Sequence, residues 1–87
     1  MNLNMEDIKR VLLRKLVKHG YWGGKHTSFN NLPKGFPNHL RKDVKRVAKE
    51  LIKEGVLLKK PTNYGIEVSL NPRESTKIMK YLSEQEI

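Results

Sequence analysis

From Leu40 to Glu54 the apolar residues recur at the spacing of one helical face. At about 100° per residue, Leu40, Val44, Val47, Ala48, Leu51 and Ile52 fall on one side, with Lys42, Lys45, Arg46, Lys49 and Lys53 opposite. Arg41 stands at the border. The acidic Asp43, Glu50 and Glu54 keep to a single flank, so the outward stripe is purely positive rather than a mixed salt-bridging surface.

An earlier stripe, Ile8, Leu12 and Leu16 widened by Met5, Leu13 and Val17, predicts a first helix whose inner face is core. Asn4 suits its N-cap, Glu6 and Asp7 lie in the first turn where the macrodipole favours them, and Lys18 and His19 close it before Gly20. The segment from Tyr21 to Pro37 is rich in Gly, Asn, Pro, Thr and Ser and lacks this period. It predicts one short helix, capped by Thr27 or Ser28, running through Leu32 and stopped by Pro33, Lys34 and Gly35. Pro37 and Asn38 then start the basic helix, which Gly55 ends.

Beyond Gly55 the period shortens to two. Val56 to Lys60 predicts a strand, Pro61 to Gly65 a five-residue turn, and Ile66, Val68 and Leu70 the inward side of a second strand, with Glu67 and Ser69 outward. Asn71 and Pro72 open a terminal helix with Glu74 at the capping-box position, and Ile78, Met79, Tyr81 and Leu82 form its apolar side. The chain therefore reads as α+β, mainly α, a single domain over residues 1–87 with its core in 5–70 and a C-terminal helix over 72–84.

With 87 residues the core is small. The absence of cysteine excludes a disulfide framework and a thiolate zinc site, and points to a reducing, cytoplasmic setting. His19, His26 and His39 share no helical spacing and have no acidic companions nearby, so neither a metal nor another cofactor is expected. No apolar run approaches the roughly 20 residues that span a bilayer. No pair of carboxylates lies in an apolar setting, and Ser28 beside His26 is too local a pair for a triad, so the chain is not expected to be an enzyme. Nor is a small-molecule substrate expected, since so short a chain has little volume left once its core is filled.

Charge sharpens the picture. Eighteen Lys and Arg against nine Asp and Glu leave a net +9, a field that draws in nucleic acid. A membrane surface is disfavoured because the apolar stripes are narrow enough to be consumed by a core. A thermophile's surface would also be rich in Lys, Glu and Arg, but that accounts for the abundance of charge and not for its sign or segregation.

Three helices and then a hairpin, the third helix basic and preceded by the tight turn Lys34-Gly35-Phe36-Pro37, is the order of parts that resembles a winged helix-turn-helix domain. The strings Gly23-Gly24-Lys25-His26-Thr27-Ser28 and Gly35-Phe36-Pro37-Asn38-His39-Leu40 are similar to those of small archaeal winged-helix proteins without an assigned role. The resemblance covers about residues 5 to 70 and implies a DNA-binding protein, a transcriptional regulator or a chromatin-associated protein. It departs from the commonest pattern in its short, proline-limited second helix.

The resemblance implies a recognition helix over 38–54 lying in the major groove. Its readers and phosphate contacts would be Asn38, His39, Arg41, Lys42, Lys45, Arg46 and Lys49. Asn and Arg can pair bidentately with adenine and guanine, whereas the more numerous lysines supply charge without sequence information. Lys59, Lys60, Thr62, Asn63 and Tyr64 would form a wing over 59–65. Lys25, Thr27 and Ser28 would sit at the start of the second helix, where free N–H groups favour phosphate.

Each nomination has a plainer alternative. Lysines on a wet helix face can be solvation alone, Asn38 can be only an N-cap, and Tyr64 can fold over its own hairpin. Tyr21, Trp22 and Phe36 read as core or core-edge aromatics, although an exposed Trp22 would make a stacking platform for unpaired bases. Two rivals to duplex DNA remain: an RNA or ribosomal surface, and a protein-interaction module in which Ile78, Met79, Tyr81 and Leu82 pair two copies as a homodimer.

Overall fold

The first helix, α1 (Met5–Lys18), begins where the sequence pattern puts it. In the computed structural model, which describes residues 3–84, Asn4 Oδ1 accepts from the Asp7 N–H at 2.8 Å and the Asp7 carboxylate accepts from the Asn4 N–H at 3.2 Å. This reciprocal cap satisfies two donors that a helix start otherwise leaves open. The ends of the expected span, residues 1–2 and 85–87, lie outside the described residues.

The basic helix, α2 (Arg41–Lys53), and α1 stop in the same way. Gly20 and Gly55 take φ of +69° and +79°, a conformation that disfavours any side chain. That geometry lets Gly55 N–H donate to Ile52 C=O and Val56 N–H to Leu51 C=O, and lets Gly20 and Tyr21 do the same to Val17 and Leu16.

Three antiparallel strands, β1 (Thr27–Ser28), β2 (Leu57–Thr62) and β3 (Gly65–Leu70), form a sheet in the order β1-β3-β2. Its β2 edge carries Pro61, which has no N–H to give a ladder, beside Lys59 and Lys60, a composition that discourages pairing with another chain. A last helix, α3 (Ser75–Glu84), follows. The molecule is thus α+β and mainly helical, with three α-helices and one small sheet among the described residues.

The core joins Ile8, Leu12, Leu13 and Leu16 of α1 to Val44, Val47, Ala48 and Leu51 of α2 and to Leu57, Val68 and Leu70 of the sheet. Phe36 is buried, and Tyr21 and Trp22 pack half-buried at the edge of the core, as their apolar character suggests.

Several expectations are corrected. The second helix is only a 3-10 turn, Phe29–Asn31, because Thr27 and Ser28 pair with Val68 and Glu67 and Pro33 leaves no room to extend it. The basic helix is preceded by a 3-10 turn at Asn38–Leu40, and the Asn38 side chain caps nothing: Pro37 occupies the cap position of that turn. The hairpin loop has two residues rather than five, since Thr62 pairs with Gly65 across Asn63 and Tyr64. The terminal helix opens with a 3-10 turn, Pro72–Glu74, capped by Asn71, before α3 proper.

Two strand positions also change sides of the ledger between core and solvent. Ile66 is on the inward face opposite Pro61, yet it lies past the last core residue and is 41% exposed. Ser69, expected outward, is buried where the Tyr21–Gly23 segment hydrogen-bonds to Leu70 at the end of β3.

The apolar side of α3 is closed within the chain. Ile78 and Leu82 belong to the core, and Tyr81 is half-buried and donates to the Glu6 carboxylate of α1 at 2.6 Å. Of the four residues expected at a dimer surface only Met79 is exposed. The correction follows from size: a core this small needs α3 to cover α1.

Candidate nucleic-acid interface

One exposed face of α2 is continuous and positive. Lys42, Lys45, Arg46 and Lys49 line one shallow depression, and Asn38, His39, Arg41, Lys42 and Lys45 line another at the N-terminal end of the helix. Arg41, Lys42, Arg46 and Lys49 are exposed and Lys45 is half-buried. Among the described residues no ion pair ties up a cation of α2, the ion pairs being Arg10 with Asp7 and His26 with Glu67.

The carboxylates stand elsewhere. Glu50 and Glu54 line a depression with Glu6, Met5 and Lys9 between α2 and the start of α1, and Arg46 borders both regions. One helix therefore separates a cationic face from an acidic flank, with Arg46 at the boundary.

The hairpin divides its lysines. Cross-strand register sets Lys59 opposite Val68 and Lys60 opposite Glu67, so alternate side chains place Lys59 on the side of the sheet facing α2 and Lys60 on the other. Lys59 joins Lys49 and Lys53 around a groove floored by Phe29, Ile52 and Ile66. At the tip, Thr62 Oγ1 accepts from the Tyr64 N–H and donates to the Gly65 carbonyl. The Tyr64 side chain does not fold back: it is 100% exposed.

Ser28 caps the 3-10 turn Phe29–Asn31 as expected, with Thr27 beside it in β1 and Lys25 exposed two residues before that strand. Thr27 and Ser28 are half-buried in β1, the Ser28 hydroxyl accepts from the Asn30 N–H at 3.3 Å, and the Lys25 ammonium lies 5.7 Å from the centre of the Tyr21 ring. The element that starts there is a three-residue 3-10 turn rather than an α-helix, so it lacks the aligned dipole of a long helix. Among the described residues no group of three or more His, Cys, Asp or Glu is placed to hold a metal, and no helix is long and apolar enough to cross a membrane.

Sequence reasoning overlooked Phe29, Ile52 and Ile66 as surface residues and Lys53 as a site residue. Lys53 was visible in the basic stripe, whereas the apolar three come from separate elements and meet only in the fold. Comparison of the chain with family models, curated proteins and solved structures finds no match.

Proposed function

We propose that this protein binds duplex nucleic acid, DNA in the first place, as a winged helix-turn-helix domain. The face of α2 enters the major groove and the β2–β3 hairpin lies on the flanking backbone as the wing. The observation that carries the reading is the exposed cationic face of α2, free of carboxylates and of ion pairs among the described residues. The element order α1, β1, 3-10 turn, α2, β2, β3 and the strand order β1-β3-β2 support it.

Arg41, the first residue of α2, and Asn38, in the 3-10 turn before it, are the base readers, while Lys42, Lys45, Arg46 and Lys49 supply phosphate contacts. Lysines outnumber readers, so affinity exceeds sequence selectivity. Fluorescence anisotropy against one random sequence, as duplex DNA, duplex RNA and single-stranded RNA, tests the reading. Tighter binding to duplex DNA agrees with it. Preference for either RNA moves the function to a ribonucleoprotein partner, and absence of binding at low salt refutes a nucleic-acid role.

A further inference from the structure

The groove between α2 and the hairpin differs in chemistry from the rest of the cationic face. Its floor is Phe29, Ile52 and Ile66, contributed by the 3-10 turn after β1, by α2 and by β3; its rim is Lys49, Lys53 and Lys59; no carboxylate lines it. Phe29 and Ile52 are half-buried and Ile66 is 41% exposed. Pure phosphate binding has no use for an apolar floor, and leaving one in water is unfavourable. A floor with three ammonium groups around it suits a ligand with a flat apolar body and negative charge on either side.

Continuity with the α2 face narrows the class. Lys49 lines both the α2 depression and this groove, so a phosphate backbone that follows Lys42, Lys45 and Arg46 reaches the groove at Lys49 and meets Lys53 and Lys59 next. An amphipathic helix of a protein partner needs anchors over two or more turns, and three floor residues are too few. A single nucleobase is matched by them in size, with its neighbouring phosphates on the lysines.

We propose that the groove holds one unpaired nucleobase of a strand bound along α2, so that the protein selects duplexes carrying a bulged or extruded nucleotide. This rests on the nucleic-acid reading above and adds a preference that the reading alone does not contain. Phe29 offers the aromatic face, Ile52 and Ile66 the apolar walls, and Lys49, Lys53 and Lys59 the contacts to flanking phosphates.

The test is anisotropy with the full chain on three versions of one DNA duplex: intact, with a single bulged nucleotide, and with an abasic bulge. The bulged base should bind at least about fivefold tighter than the abasic bulge, the low end of what stacking a base contributes. Ile66→Thr, at an exposed β-branched position, should lower that ratio and leave the intact duplex affinity unchanged. Ile52→Gln, on a different element, should do the same, which separates the groove from a local disturbance of the hairpin. Equal affinity for base and abasic bulges, with the intact duplex still bound, would overturn the proposal and spare the nucleic-acid reading. No binding to any of the three would overturn both. Binding of an acidic, leucine-bearing peptide that Ile66→Thr removes, without base preference, would overturn the proposal in favour of a protein partner.

Discussion

Helices α2 and α3 are both amphipathic, and they differ in what is left once the apolar side is buried. In α3, Ile78 and Leu82 enter the core, Tyr81 bonds to Glu6, and the outward residues are of mixed kind: Lys77, Met79, Lys80 and Glu84. In α2, Val44, Val47, Ala48 and Leu51 enter the core and the outward residues are nearly all cationic, with Glu50 and Glu54 turned toward α1. Hydrophobic periodicity makes both helices. The sign and segregation of the remaining side chains distinguish a helix that closes the fold from one that leaves a cationic face in solvent.

The largest effect expected from breaking this contrast is on stability. Ile78→Ala should cost about 2–5 kcal/mol as a buried large-to-small change, measured by denaturant unfolding. A residue at a dimer surface would leave the isolated chain's stability unchanged, and light scattering of the parent protein should report a monomer.

Next in size, the double change Lys45→Ala with Arg46→Ala should weaken duplex binding by about tenfold, as expected for losing two phosphate contacts. Circular dichroism should not change, because both side chains lie on the outward face of α2.

Tyr81→Phe should cost about 1 kcal/mol for the lost hydrogen bond to Glu6. Burial first, and then that bond to a carboxylate, hold the Tyr81 hydroxyl above its ordinary value of 10.0. A raised value in the folded state means that the stabilisation is complete below pH 10 and declines as pH rises beyond it, because the unfolded chain loses its proton first. The phenylalanine variant should therefore show a shallower alkaline loss of stability.

Neighbouring lysines of the hairpin sharpen the comparison further. Lys59→Gln should reduce duplex affinity by about threefold, the scale of one phosphate contact, while Lys60→Gln, on the opposite face of the sheet, should leave it near the parent value. Equal losses would place both faces of the hairpin on nucleic acid. The smallest effect belongs to Asn38→Ala, which should change stability by no more than a few tenths of a kcal/mol, because the side chain makes no cap; a loss in duplex affinity with stability intact would mark Asn38 as a base reader.

Much of this architecture is legible locally. The Asn4 cap, the glycines after α1 and α2, the two apolar stripes and the alternation of Val68 with its neighbours are short-range signals, and each corresponds to an observed element. The two-residue strand β1 is too short for any period, and its partner Val68 lies about forty positions away. Burial of Ser69 and exposure of Ile66 depend on where the Tyr21–Gly23 segment and α2 end against the sheet, which alternation within one strand does not encode. The cationic stripe was readable because it lies on one helix, whereas the groove between α2 and the hairpin was not, since Phe29, Ile52 and Ile66 are gathered from three elements.

The most direct test of a nucleic-acid-binding α2 face is the salt dependence of duplex DNA affinity for the parent protein and for the Lys45→Ala, Arg46→Ala variant, between about 50 and about 200 mM salt. Steep weakening with salt for the parent, and a slope shallower by roughly one for each phosphate contact removed, is the result expected. Identical slopes for the two proteins would contradict the account and leave the lysines of α2 as a solvated surface.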